Sequence, residues 1–127
     1  MDLQLKDKVV LITGPAKGMG SAVTLAFAKE GAKLVLAGRD TAAIEPVAQE
    51  ARALDVEAIV VPCDLTQSAQ TEALAARALE VFGRIDVLVN VAGGSGPIGK
   101  TGWETTAEEF DEIVQLNMKG CFNTMRA

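Results

Sequence analysis

The sequence predicts an α/β fold, a doubly wound parallel sheet with a helix between successive strands. Three observations predict it. Short β-branched runs alternate with longer segments whose apolar residues recur at helical spacing. The links between them are short, which suits strand–helix units better than hairpins. A glycine-rich turn, Gly14 to Gly20, follows the first apolar run directly and opens the first helical segment. Right-handed crossovers then give the strand order 3-2-1-4, with a ligand crevice between strands one and four, where the winding reverses.

Taken in order, Val9–Thr13 is the first strand, apolar enough to be buried on both faces. Gly18–Glu30 follows as a helix with Met19, Val23, Ala26 and Phe27 on one face, and Gly31 is placed to end it. Lys33–Ala37 is strand two. Thr41–Leu54 reads as helix two, with Ile44, Val47, Ala48, Ala51 and Leu54 in register. Pro46 lies beyond its first turn, where it removes a hydrogen bond and clashes backwards, so a late start or a bend near Glu45 is expected. Strand three is Val56–Val61, helix three Gln67–Phe82 closed by Gly83, and strand four Asp86–Asn90. A glycine-rich loop runs from Gly93 to Gly102. Thr106 and Glu109 have capping-box spacing and start a fourth helix toward Ala127. Phe110, Ile113, Val114, Cys121 and Met125 lie at helical spacings there, and Asn117 falls on that stripe. No repeat or linker divides residues 1–127, which read as a single domain.

Composition narrows the function. The 127 residues are 49% apolar and 23% charged, as in a globular protein. A net charge of −5 argues against nucleic acid, whose binding draws on Lys and Arg. No stretch approaches the ~18 apolar residues of a membrane helix. The N-terminus mixes charge signs and lacks the apolar run of a secretory signal. Cys63 and Cys121 have no metal or framework spacing and read as reduced thiols of a cytoplasmic protein. The chain has no His and no Tyr, so it carries no His-based metal site, Ser-His-Asp triad or tyrosine acid of its own.

A strand, a glycine turn and a helix N-terminus in that order suit a nucleotide diphosphate. Glycines let backbone approach the phosphates, and the helix start offers free N–H groups with partial positive charge. The spacing Thr13-Gly14-x-x-x-Gly18-x-Gly20 resembles the signature of the short-chain dehydrogenases/reductases, which bind NAD(H) or NADP(H) on a Rossmann-like domain. The resemblance implies that Thr13, Gly14, Ala16, Lys17, Gly18, Met19 and Gly20 hold the cofactor. Asp64, followed by Leu65 after strand three, matches the position whose Asp bonds the adenine amino group in that family. An Asp opening a turn is the structural alternative. Asn90-Val91-Ala92-Gly93 is similar to the family's Asn-Asn-Ala-Gly, departing at Val91. Ala92 and Gly93 would admit the cofactor, and Asn90 would tie neighbouring strands. Asn117 matches the Asn that holds a water in the family's catalytic proton relay. A structural, hydrogen-bonded Asn is the alternative, because an amide on an inward stripe is costly when unpartnered.

For the cofactor type, the family's NAD-binding acid would stand at Gly38. Arg39 instead offers a planar cation suited to a 2′-phosphate, and Lys17 a second charge. Both favour NADP(H), while Asp40 keeps NAD(H) open and either cation could be a solvated surface charge. The family's Ser and Tyr-x-x-x-Lys have no match in this chain, which resembles the N-terminal half of a member. Strand four would then be an exposed edge, and the apolar stripe of the fourth helix would be partly uncovered. The resemblance implies that this helix, 107–127, packs between subunits of a homo-oligomer. The loop Gly94–Trp103 could line the nicotinamide end of the crevice, with Trp103 either in a substrate wall or packed. Two readings follow. One is an oxidoreductase transferring hydride between the cofactor and a small alcohol or carbonyl substrate, represented by its cofactor-binding half. The other is a non-catalytic NADP-binding or dimerisation module.

Overall fold

A computed structural model describes residues 1–127. Four parallel strands form one sheet: β1 Val9–Thr13, β2 Lys33–Gly38, β3 Ala58–Pro62 and β4 Val87–Asn90, in the order β3-β2-β1-β4. Val10 pairs with Leu34 on one side and Val87 on the other, and Thr13 pairs with Ala37 and Asn90. The strand ends therefore lie level, and the loops that follow open along one edge.

Alternation along β1 splits the core into two layers. Val10 and Ile12 pack with Leu34, Leu36 and the helices α1 (Met19–Lys29) and α2 (Thr41–Arg52). Val9 and Leu11 face Val35, Ala37 and α3 (Ser68–Phe82), through Leu74 and Ala78. Both faces of β1 are thus covered, as its unbroken apolar sequence requires. β4 lies at the sheet edge and is only half-buried along its length.

Helix α2 starts at Thr41 and runs unbroken through Pro46, so the expected late start does not occur. Asp40 caps it by accepting from the Ala43 N–H at 3.1 Å. Arg52 and Gln49 both bond Glu45 across successive turns, and Ile44, Val47, Ala48 and Ala51 are buried. A cap contributes about 1 kcal/mol and each buried aliphatic side chain about 1.5–3 kcal/mol, which together offset the ~3 kcal/mol proline penalty. β3 begins at Ala58 rather than Val56, because the chain first turns through Asp55, held at φ 65°.

The fourth helix departs most from expectation. It is a rod of three parts: α4 (Ala107–Val114), a π-helical turn (Gln115–Lys119) and α5 (Gly120–Arg126). The capping box is present, with Glu109 N–H to Thr106 Oγ1 at 3.1 Å and Thr106 N–H to Glu109 Oε2 at 3.0 Å. The expected inward stripe is present only in part: Ile113, Val114, Asn117 and Cys121 are half-buried. Phe110 and Met125 are 61% and 66% exposed, while the buried positions are Gly120 and Asn123. The inward face instead runs through Ile113, Leu116, Asn117, Gly120, Asn123 and Thr124, a helical spacing that leaves Met125 to one side. Before the π-turn, α4 buries none of its residues fully.

Candidate cofactor site

The glycine turn carries its geometry in the backbone. Gly14 has φ +67°, and a Cβ there would stand 2.7 Å from the Cα and N of Ala92. Only glycine allows β1 and the loop after β4 to approach so closely. A Cβ at Gly20 would fall on the Gly14 carbonyl oxygen, so this residue lets α1 fold back against the turn. Gly18, at φ +58°, faces open space instead. No N–H from Ala16 to Ser21 donates to a protein acceptor, and the first turn of α1 holds no acidic residue. A row of free donors at a helix N-terminus has the geometry and partial positive charge that suit an anion.

The turn opens into a cleft of about 1180 Å³ at the carboxyl ends of the strands. Its lining includes Gly14 and Ala16 from the turn, Arg39 after β2, Asp64 and Leu65 after β3, and Ala92 and Gly93 after β4. The structure thus brings these sequence-selected residues to one place. Thr13 is fully buried beneath it, where its hydroxyl accepts from the Ala92 N–H at 3.3 Å. That contact ties β1 to the loop after β4.

Asp64 is held in a local turn. Its Oδ1 accepts from the Thr66 hydroxyl at 2.7 Å and the Thr66 N–H at 3.0 Å, while Oδ2 has no protein partner. The Thr66 hydroxyl, the Thr66 N–H and then the Arg39 charge hold the carboxyl below the ordinary aspartate value. The turn reading of this residue is therefore observed, and one oxygen remains free for a ligand. Arg39 is exposed in the cleft and has no ion-pair partner. Asp40 is engaged as the α2 cap. Gly38 is crowded: a Cβ there would lie 2.9 Å from the Cδ1 of Ile44.

Some placements differ from the expected ones. Lys17 is exposed but is not among the lining residues; the second basic residue of the cleft is Lys119, from the π-turn. Asn90 does not tie neighbouring strands through its side chain. Its Oδ1 accepts from the Thr124 hydroxyl at 2.7 Å, joining β4 to α5. The loop from Gly94 to Trp103 lies outside the cleft lining, and Trp103 is 89% exposed, so neither the wall nor the packing role is seen. Met19 is likewise 75% exposed outside the lining. Cys63 lines the cleft as a buried thiol, which desolvation and then the Asp64 charge push up to about 11.

Asn117 sits in the π-turn above the loop after β4. Its Nδ2 donates to the Gly94 carbonyl at 2.9 Å and the Ile113 carbonyl at 3.0 Å, and its Oδ1 accepts from the Gly94 N–H at 3.1 Å. A Cβ at Gly93 would stand 2.5 Å from that Oδ1. Asn123, which sequence reading missed, is buried and donates to the Leu65 carbonyl at 2.8 Å, locking α5 onto the corner after β3. Its polarity among apolar neighbours was the available signal.

Fold and site together define a doubly wound α/β protein with a crevice at its switch point, the place where such folds take their ligands. The chain belongs to the short chain dehydrogenase family, whose model matches residues 8–127. Among its relatives, an uncharacterized oxidoreductase of Mycobacterium tuberculosis is 40% identical over 115 residues, covering 91% of this chain and 43% of the relative. The crystal structure of a 3-ketoacyl-(acyl-carrier-protein) reductase from Brucella melitensis complexed with NADH superposes with a TM-score of 0.85. It is 38% identical, covering 96% of this chain and 48% of that one. A metagenomic short-chain oxidoreductase in complex with NADP gives a TM-score of 0.90 at 34% identity, covering 97% and 55%. The chain spans about half the length of the curated relatives it matches, for example 52% of a Staphylococcus haemolyticus oxidoreductase. No helix is long and apolar enough to cross a membrane.

Proposed function

We propose that this chain is the cofactor-binding portion of an oxidoreductase that interconverts a small alcohol and its carbonyl, with NADP(H) preferred. The observation that carries the reading is the run of unpartnered N–H groups from Ala16 to Ser21 beside a cleft that holds an unpaired Arg39. Those donors suit the diphosphate. The free Oδ2 of Asp64 suits the adenine amino group, with Leu65 beside it. Arg39 suits a 2′-phosphate, because a guanidinium binds phosphate through paired donors. The crowding at Gly38 leaves no room for an acid at that position, and Asp40 has one carboxylate oxygen committed to the α2 cap, which supports NADP(H) over NAD(H). Ala92 and Gly93 leave room for backbone approach. A bound nicotinamide supplies the hydride.

Asn117 is assigned to the proton relay through the family resemblance. Its own bonds support a positioning part in that relay, since both ends of its amide are held by Gly94. The tyrosine acid of the family has no counterpart among these residues, so turnover is assigned to a protein of the relatives' length, acting in the cytoplasm. The exposed Phe110, Met118, Phe122 and Met125 support assembly of a homo-oligomer through the 107–127 rod.

Titration with NADPH and NADH tests the reading. NADPH should bind more tightly, and Arg39→Ala should weaken NADPH by about 10- to 100-fold, the worth of a charge-assisted hydrogen bond, with little change for NADH. Equal binding of both cofactors by wild type and variant would remove the NADP(H) preference. Binding by the 127-residue chain with no turnover of any carbonyl compound is expected. Turnover by it would overturn the assignment of catalysis to a longer protein.

A further inference from the structure

Two basic residues line the cleft, Arg39 and Lys119, and they arrive from different walls. Arg39 follows β2, whereas Lys119 is the last residue of the π-turn. Neither has an ion-pair partner, although Asp111 and Glu112 line the cleft earlier on the same rod as Lys119. On a chain of net charge −5, two unpaired cations in one cleft are conspicuous.

Both converge on the Asp64–Leu65 corner. Arg39 is near enough for its charge to act on the Asp64 carboxyl. Lys119 is brought there by the rod's anchorage: a Cβ on its neighbour Gly120 would stand 3.3 Å from the Leu65 Cβ. Asn123 holds the Leu65 carbonyl a turn later. The position of Lys119 is thus fixed by tertiary bonds, while its ammonium group is left free.

We propose that Lys119 is a nucleotide-affinity residue, flanking the adenosine portion of the bound cofactor from the wall facing Asp64–Leu65, irrespective of a 2′-phosphate. This rests on the cofactor reading above. A lysine serves there in two ways, laying its aliphatic stem along the base and setting its cation against the ring or the phosphates. Arg39 alone then governs the 2′-phosphate.

The test is calorimetric titration of the 127-residue chain and its variants with ADP and with 2′,5′-ADP, without any turnover. Lys119→Ala is expected to weaken both ligands by about 3- to 10-fold, leaving their affinity ratio unchanged. Lys119→Arg is expected to restore most of the loss. Arg39→Ala should change the ratio instead. Lys119 is exposed, so the thermal midpoint without ligand should not move, which separates binding from folding. Wild-type affinity for both ligands in Lys119→Ala overturns the proposal, as does a loss confined to 2′,5′-ADP. Absence of ADP binding by folded wild type would instead overturn the cofactor reading itself.

Discussion

Gly14 shows how one residue can couple fold and site. Its left-handed backbone and its contact with Ala92 forbid a side chain, and the same close approach brings the β1 and β4 loops to the cleft. Gly14→Ala should lower stability by about 2–4 kcal/mol, combining αL strain with overpacking against rigid backbone. Urea unfolding measures this, and a loss under about 0.5 kcal/mol, the ordinary scatter of surface substitutions, would refute the geometry. Cys63 offers a second check. Its thiol, pushed up to about 11 by burial, holds little thiolate at mildly alkaline pH. Alkylation of the native protein should label Cys121, which is only half-buried, and spare Cys63 until denaturant is added.

At the scale of elements, the junctions between strands and helices rest on polar side chains. Asp86 accepts from the Val9 N–H at 2.9 Å and is paired with Arg84, so it sets the start of the β1–β4 register. Arg84 first, and then the Val9 N–H, hold its carboxyl below the ordinary value of 3.8. A depressed folded-state pKa stabilises the fold fully above the unfolded value, and the contribution is lost as pH falls through the folded one. Asp86→Asn should therefore be less stable than wild type at neutral pH, with the difference shrinking as pH falls below the ordinary carboxylate value of 3.8. Urea midpoints across that range would reveal the opposite trend if the sign were wrong. Asn117→Ala removes two hydrogen bonds between the π-turn and the loop after β4, and a third to the Ile113 carbonyl of α4. Hydrogen exchange at the Gly94 N–H should quicken by about tenfold or more, at about 1 kcal/mol or more of lost local protection. Unchanged exchange would mean that the loop is held by something else.

At the scale of the whole molecule, the sheet presents the carboxyl ends of its strands at one edge, and the chain's unpartnered donors and cations collect there. Anything that binds this edge in the folded state alone should raise the melting temperature with its concentration. NADPH is expected to do so more than NADH at equal concentration, and a scan of both ligands reads the order directly. The opposite edge of β1 is occupied by β4, whose outer side no strand of this chain covers.

The sequence by itself determined the strand order, the extent of most elements, and the place of the glycine turn. Those follow from local periodicity, glycine placement and capping, all written in neighbouring residues. Thr13, Asp64 and Gly93 were legible as residues at or just after strand ends, and it was the family resemblance that suggested their cofactor roles. Only the tertiary structure decided what required knowing which side chains meet. Met125 was assigned inward by its spacing from Cys121, whereas the rod turns Asn123 and Thr124 toward Leu65 and Asn90. Pro46 looked like a helix breaker because its cost is local, whereas the burial and cross-turn bonds that offset it are not. Lys17 looked like the cleft's second cation because it lies in the motif. Lys119 holds that place because Leu65, more than fifty residues earlier, anchors the helix that carries it.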